Sequence, residues 1–286
     1  MPTSPLLTIS ITRLNEQHEN LTKAFGFLIH PSVPLDKPDL RVADISCGSG
    51  IWLTDVAAKY CSARCDGFDI SGDQFPSSSQ LEKDGLADRV HFHVHDAADP
   101  RGVIAEFEGA FDIVAVRLMH INIVGAQWDQ AMKNTVALLK PGGYLQWIDW
   151  DPLTAHFVQS KPLVPRSGME ELLTGFRAFL ATRDTASTAR VPQMMQSNGV
   201  GEVMSELYAT DAETSTRAYF TRTLMESAPK VIMQLLAGKP DSGWDGERVE
   251  RLDKQARLEL DHAGKNGALT CWLRVEVWCH VGRKLG

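Results

Sequence analysis

One stretch limits what this chain can fold into more than any other. Asp44-Ile45-Ser46-Cys47-Gly48-Ser49-Gly50 closes the apolar run Arg41-Val42-Ala43-Asp44-Ile45 and opens onto a helical pattern, Ile51-Trp52-Leu53-Thr54-Asp55-Val56-Ala57-Ala58. A strand that turns through small residues directly into a helix aims backbone N–H groups at a ligand, and glycine lets that ligand approach the main chain. Such a turn belongs to an α/β architecture and holds a nucleotide-like group.

Later landmarks extend the pattern. Cys65-Asp66-Gly67-Phe68-Asp69-Ile70 reads as a second strand ending in Asp69, nineteen positions after Gly50. There a carboxylate meets a ribose, its two oxygens matching the two donors of a vicinal diol. Val90-His91-Phe92-His93-Val94-His95 leads into Asp96-Ala97, placed to accept from an exocyclic amine such as that of adenine, although acids also cap loops after strands. Leu138-Leu139-Lys140-Pro141-Gly142-Gly143 ends a helix in a Pro/Gly turn before the strand Tyr144-Leu145-Gln146-Trp147. Strands alternating with helices, with acids at strand ends, predict an adenosine-binding α/β domain.

These residues together resemble the class I S-adenosylmethionine-dependent methyltransferases over roughly residues 38–151. At the first turn the family pattern is an acid followed by three alternate glycines; here it reads Asp44, Ser46, Gly48 and Gly50, with Ser46 standing where glycine is usual. Further phrases are similar to the fungal LaeA-like group of secondary-metabolism methyltransferases: Arg13-Leu14 with Gln17-His18, Gly50-Ile51-Trp52, Gly67-Phe68-Asp69-Ile70-Ser71 with Gln74-Phe75-Pro76, Val116-Arg117-Leu118, and Pro141-Gly142-Gly143-Tyr144-Leu145-Gln146-Trp147. The resemblance implies a Rossmann-like fold, a seven-stranded, mostly parallel sheet with helices on both faces, an N-terminal helix and a helical lid. It implies S-adenosyl-L-methionine as cofactor, with S-adenosyl-L-homocysteine as product. Asp44, Ser46, Cys47, Gly48, Gly50, Trp52, Asp69, Ile70, Gln74, Asp96, Ala97, Arg117 and Leu118 are its expected contacts. Trp52 also reads as core, and Arg117 as a partner for an internal acid.

His120, two residues beyond Leu118, is the candidate general base, and His18 on the N-terminal helix is the other histidine in reach. His18, His120, Trp147 and Asp149 are the expected substrate contacts; ordinary alternation would instead bury Trp147 and leave Asp149 solvated. A phenol benefits from a histidine base, whereas a carboxylic acid is already ionised at neutral pH and needs none. The acceptor is expected to be an oxygen, hydroxyl or carboxylate, of a small organic molecule. An amine nitrogen is the nearest variant, and a LaeA-like regulator that binds the cofactor without small-molecule turnover is the alternative from another class. A nicotinamide oxidoreductase is disfavoured by Leu53, which occupies the position where a G-x-G-x-x-G turn needs Gly or Ala against the sheet.

The expected organisation is an N-terminal helical cap over 1–37, a cofactor-binding core over 38–151, a helical substrate lid with one core strand over 152–265, and a C-terminal edge strand over 266–286. A chain of 286 residues with 43% hydrophobic and 23% charged content can bury such a core as one large domain. The net charge of −7 and the absence of a Lys/Arg cluster argue against a nucleic-acid partner. No stretch has the length of a membrane span or a signal peptide, so the expected location is the cytoplasm. Five cysteines without a His or Cys cluster are expected as reduced thiols. A homodimer is compatible with all of this.

Overall fold

A computed structural model describes residues 10–181, 185–264 and 268–286; residues 1–9 of the expected N-terminal cap therefore lie outside it. The elements run α1 Ile11–Phe25, β1 Arg41–Ile45, α2 Ile51–Lys59, β2 Arg64–Asp69, α3 Ser78–Lys83, β3 Val90–Val94, β4 Phe111–Arg117, α4 Gln127–Leu138 and β5 Leu139–Gln159. They continue as α5 Ser167–Ala181, α6 Val191–Ser197, β6 Val200–Ala209, α7 Thr214–Leu235, α8 Gly246–Ala263 and β7 Cys271–Lys284.

Seven strands form one sheet in the order β3-β2-β1-β4-β5-β7-β6. The pairs β1–β2, β1–β4, β2–β3 and β4–β5 are all parallel. Sequence order reverses direction between β1 and β4, which makes their shared rim the switch point where ligands of open α/β sheets bind. Register fixes what lies along that rim. Ile45 pairs with Phe68 and with Val116, Asp69 with Val94, and Arg117 with Ile148. The residues that follow these pairs, from five different strands, are therefore neighbours.

Local chemistry sets the elements. Ser10 caps α1 by accepting from the Arg13 N–H, and Gly26, at φ 76°, ends it. β1 and β4 are almost wholly buried, as central parallel strands covered on both faces must be. Lys140–Gly143 is no plain turn: the β4–β5 ladder steps from Phe111–Leu139 to Ile113–Tyr144, so the Pro-Gly-Gly segment bulges within one long strand. That strand also runs on through Pro152 to Gln159, into the span expected as the helical lid.

Two expectations about organisation are corrected. β7 is not an edge strand: it lies between β5 and β6, and β6 and β3 form the edges. The burial patterns give the reason, since β7 is covered along most of its length while β6 is half exposed. The helical segment is also not uniform. The described residues divide into two compact units, one of Ser10–Trp150, Ser187–Leu207 and Trp278–Gly286, the other of the described residues within 151–186 and 208–277. α6, expected in the lid, therefore belongs with the first unit, where Val191, Met194 and Met195 join its hydrophobic core.

In the second unit α5, α7 and α8 pack on one another. Buried Glu259 of α8 accepts from the N–H groups of Gly168 (3.1 Å) and Met169 (3.0 Å), so one helix supplies the N-terminal cap of another. Gly168 allows this approach, because a Cβ there would stand 2.9 Å from Gln255 Cγ and 3.1 Å from the Ala256 nitrogen of α8. Among the described residues no helix is long and apolar enough to cross a membrane. All five cysteines are free thiols.

Candidate functional site

The rim of the first unit gathers Ser46–Gly50 after β1, Asp69 and Ile70 after β2, His95–Ala97 after β3, Arg117–His120 at the end of β4, and Asp149 on β5. Ser46 adopts φ 57°, Gly48 φ 56° and Gly50 φ 71°. Serine thus takes up the left-handed backbone that the usual glycine would, and the departure at this position costs strain without changing the path. Relief of that strain, offset by the looser unfolded chain, should make Ser46→Gly about 0.5 kcal/mol more stable. Urea unfolding checks this; a loss above about 1 kcal/mol would mean that the serine side chain holds the turn.

Asp69 ties the turn to β2. Its Oδ2 accepts from the Gly48 N–H at 2.8 Å and its Oδ1 from the Ser71 N–H at 3.2 Å, which leaves acceptor capacity on both oxygens. Burial raises its pKa, against the backbone hydrogen bonds that lower it. Ile70, next along, is 58% exposed. The amide oxygen of Gln74 lies 4.0 Å from where a Gly48 Cβ would stand. Asp96 accepts from the Ala98 N–H at 2.8 Å, so one of its oxygens serves the local turn as the alternative reading expected.

Asp44 is the unusual group. It is completely buried, neither carboxylate oxygen has a hydrogen-bond partner, and the nearest cation, Arg117 Nη2, stands off at 3.9 Å. Burial pushes its pKa up to about 7, with Arg117 opposing and Asp69 adding. Arg117 itself is held over the Trp52 ring, 5.3 Å from its centroid, and donates to His18 Nδ1 at 3.3 Å. An arginine can only donate, so Nδ1 is the acceptor and His18 carries its proton on Nε2, where it donates to Asp55 at 2.9 Å.

These bonds correct three expectations. His18 has both ring nitrogens engaged within the protein, and burial lowers its pKa; it braces Arg117 and is not placed as a base or a substrate contact. Trp52 is 2% exposed and spends its indole N–H on the Leu28 carbonyl at 3.1 Å, so it can act on a ligand only through Arg117. Trp147 is fully buried, stacks on Trp128, and points its N–H at Asp149 at 3.4 Å; it stands behind the carboxylate and frames no pocket. Cys47 lies under the turn, its thiol pushed well above the ordinary value by burial, and offers only main chain to a ligand.

His120 and Asp149 come together. Asp149 Oδ1 meets His120 Nδ1 at 2.5 Å, and Oδ2 accepts from the His120 N–H at 3.1 Å. Leu118 makes the bend that brings them together, at φ 56° with its N–H on the Ile148 carbonyl at 2.9 Å. A bulky residue in that conformation is strained, and such strain collects at functional sites.

Several residues that shape the rim carry no local signal. Asn134 of α4 donates to both the Ala97 and Asp99 carbonyls at 2.9 Å and so pins the loop after β3 from beneath. Asn15 of α1 accepts from Ser49 at 2.8 Å. Phe92 lies against both Gly50 and Gly67: a Cβ would stand 2.4 Å from the ring at the first and 2.7 Å at the second. Gly50 and Gly67 both fall within phrases that stand out in the sequence, but their shared reason, the Phe92 ring, carries no local signal.

Residues 42–143 match a family model described as a methyltransferase domain. The N-methyltransferase sirN of Leptosphaeria maculans is 31% identical over 166 residues, covering 57% of this chain and 55% of its own length. The N-methyltransferase tcpN of Claviceps purpurea is 25% identical over 269 residues, covering 88% and 89%. The secondary metabolism regulator laeA of Monascus pilosus is 23% identical over 231 residues, covering 77% and 58%. The chain spans little more than half the length of the first curated relatives it matches. Among solved structures, geranyl diphosphate C-methyltransferase from Streptomyces coelicolor, in complex with Mg2+, geranyl diphosphate and S-adenosyl-L-homocysteine, superposes with a TM-score of 0.51 at 13% identity, over 99% of this chain and 86% of that one.

Proposed function

We propose that this chain, whose residues 42–143 match a methyltransferase domain, is a class I S-adenosylmethionine-dependent methyltransferase that methylates a nitrogen or a hydroxyl oxygen of a small molecule in fungal secondary metabolism. The observation that carries the reading is Asp44. A buried carboxylate with no donor on either oxygen is costly until one arrives. The ammonium of an amino-acid tail is such a donor, and Arg117 on the other side suits the carboxylate of the same tail.

The rest of the rim fits the adenosine. Asp69 takes the ribose diol, Asp96 and Ala97 the adenine amine, and the main chain of Ser46, Cys47, Gly48 and Gly50 lets the ligand lie close. Ile70, Gln74 and Leu118 line it. When bound, the sulfonium supplies a methyl group on a positively charged sulfur, ready for displacement. The chain must align the acceptor, exclude water and take up a proton where the acceptor carries one. His120 is the group assigned to that proton.

Nitrogen is put ahead of the oxygen expected from sequence because sirN and tcpN are named N-methyltransferases; hydroxyl oxygen is the next acceptor. The reading includes the helical segment within 152–265 as the part that chooses the acceptor, a small molecule with no nucleic-acid or membrane partner, and action in the cytoplasm. Calorimetry with S-adenosylhomocysteine and transfer of labelled methyl to a panel of amines, phenols and carboxylic acids test it together. Saturable binding with label on amines or phenols is the expected result. Binding without transfer to any of them would favour the regulator reading, which the likeness to laeA supports. No binding by well-folded protein overturns both.

Binding should also release a proton. With its pKa pushed up to about 7 by burial, Asp44 is partly protonated in the free protein at neutral pH. An ammonium against its oxygens favours the carboxylate, so the bound state has the lower pKa and acid favours the free state. Affinity for S-adenosylhomocysteine should therefore fall about tenfold per unit as pH drops below about 7, and level off above it. Calorimetry in buffers of different ionisation enthalpy counts the proton, and Asp44→Asn should abolish the slope. A wild-type protein with pH-independent affinity over that range would remove Asp44 from the site.

A further inference from the structure

The geometry points to Asp149 as a positioning residue that keeps the proton of His120 on Nδ1, so that Nε2 takes a proton from the acceptor, and the acceptor is accordingly an N–H or O–H group and not a carboxylate. This rests on the methyltransferase reading above and adds to it both a residue and a substrate class.

Asp149 was expected to touch substrate, but its oxygens are already engaged. Oδ1 accepts from the Trp150 N–H at 3.0 Å and faces His120 Nδ1 at 2.5 Å; Oδ2 accepts from the His120 N–H at 3.1 Å and the Trp147 indole at 3.4 Å. Three of these four groups can only donate, so the carboxylate is an acceptor, and the imidazole completes the set as the fourth donor. The network thereby assigns the Nδ1–H tautomer. His120 Nε2 makes no hydrogen bond to any described residue.

The carboxylate is 1% exposed, and its surroundings direct it to one histidine. Trp147, stacked on Trp128, closes the space behind it, while the Trp150 ring stacks on the His120 ring at 6.2 Å. His280 of β7 is the other titratable group that acts on Asp149. Burial pushes it down to about 4, so it is neutral at pH 7, and its Nδ1 is taken by Ser205 at 2.8 Å. Asp149 is thus left to stabilise charge on His120 alone.

That arrangement is useful only if a proton moves. A lone pair of the acceptor atom forms the new bond to carbon as the carbon–sulfur pair returns to sulfur and cancels its positive charge. The N–H or O–H bond breaks, its proton joins the Nε2 lone pair, and the bond pair stays on the acceptor atom in place of the lone pair it has used. The imidazolium formed keeps Nδ1–H on Asp149 and later gives the Nε2 proton to water. An ionised carboxylic acid has no proton to lose, and for it the buried dyad would serve no purpose.

The test uses the full chain, labelled with nitrogen-15 at histidine and saturated with S-adenosylhomocysteine. Wild-type His120 should show a proton on Nδ1 and none on Nε2 at neutral pH. Asp149→Asn presents an amide that can donate, so the proton should move to Nε2, whereas Asp149→Glu should keep the wild-type tautomer. With the best amine or phenol acceptor, Asp149→Asn should lose about 100-fold or more in transfer rate with unchanged S-adenosylhomocysteine affinity. His120→Ala should flatten the rise of rate with pH. A wild-type His120 protonated on Nε2, or an Asp149→Asn protein with unaltered tautomer and rate, overturns the proposal. Calorimetry on the same samples separates the two failures, since lost cofactor binding sinks the parent reading and retained binding with the wrong tautomer sinks only this one. Should Asp149→Asn not fold, the wild-type spectrum decides alone.

Discussion

Asp69→Ala is expected to lower affinity for S-adenosylhomocysteine by about 100-fold or more, equal to about 2.7 kcal/mol. Each oxygen of Asp69 holds one backbone N–H, from Gly48 and Ser71, and retains a lone pair for one hydroxyl of a ribose. Alanine removes two charge-assisted hydrogen bonds to the ligand, each worth about 1.5–3 kcal/mol. It also frees the Gly48 N–H, so the turn that meets the ligand loses its tie to β2. The fold should survive, because Asp69 sits at a strand end and not in the core. Calorimetry reads the affinity and thermal melting the fold. A variant that binds within about threefold of wild type would show that the sugar is held elsewhere.

Gly50→Ala should cost about 3 kcal/mol of stability and weaken cofactor binding with it. Gly50 caps α2 at φ 71°, a conformation that any Cβ opposes, and its Cβ would stand 2.4 Å from the Phe92 ring. That ring cannot retreat freely. It stacks on Phe75 at 5.0 Å and is already closer to Gly67 than a side chain there would permit. Two penalties therefore add, backbone strain and overpacking. A shift in the urea midpoint with unchanged slope measures their sum. A cost under about 1 kcal/mol would mean that the ring moves aside and that the two glycines are not tied to it.

What the sequence disclosed follows the range of each interaction. The Asp44–Gly50 turn and its tie to Asp69 are legible because the turn is continuous in sequence and the acid falls at a fixed distance along one βα unit. The Asp149–His120 pair is hidden from sequence because His120 lies beyond the end of a different strand, and period-two alternation assigns a face but not a companion. Trp52 and Trp147 failed for a related reason: a tryptophan near a site looks the same from sequence whether it faces a ligand or supports the residue that does. The bonds of His18 to Arg117 and Asp55 depend on how α1 packs, which no local pattern reveals. The position of β7 is not legible because strand order is a tertiary choice; the run of β-formers over Cys271–Val281 marks a strand but not its neighbours.

The place of β7 bears on how this molecule is made. Ribosomes deliver β5 and β6 first, and the strand that must separate them comes last. Until then the growing sheet presents two raw edges to each other and to the cell, and insertion of the final strand is a non-local step of the kind that slows folding and invites aggregation. A nascent chain broken off anywhere before Cys271 would have a gap inside its sheet and not merely a shorter end, and chaperones would have to hold both margins apart.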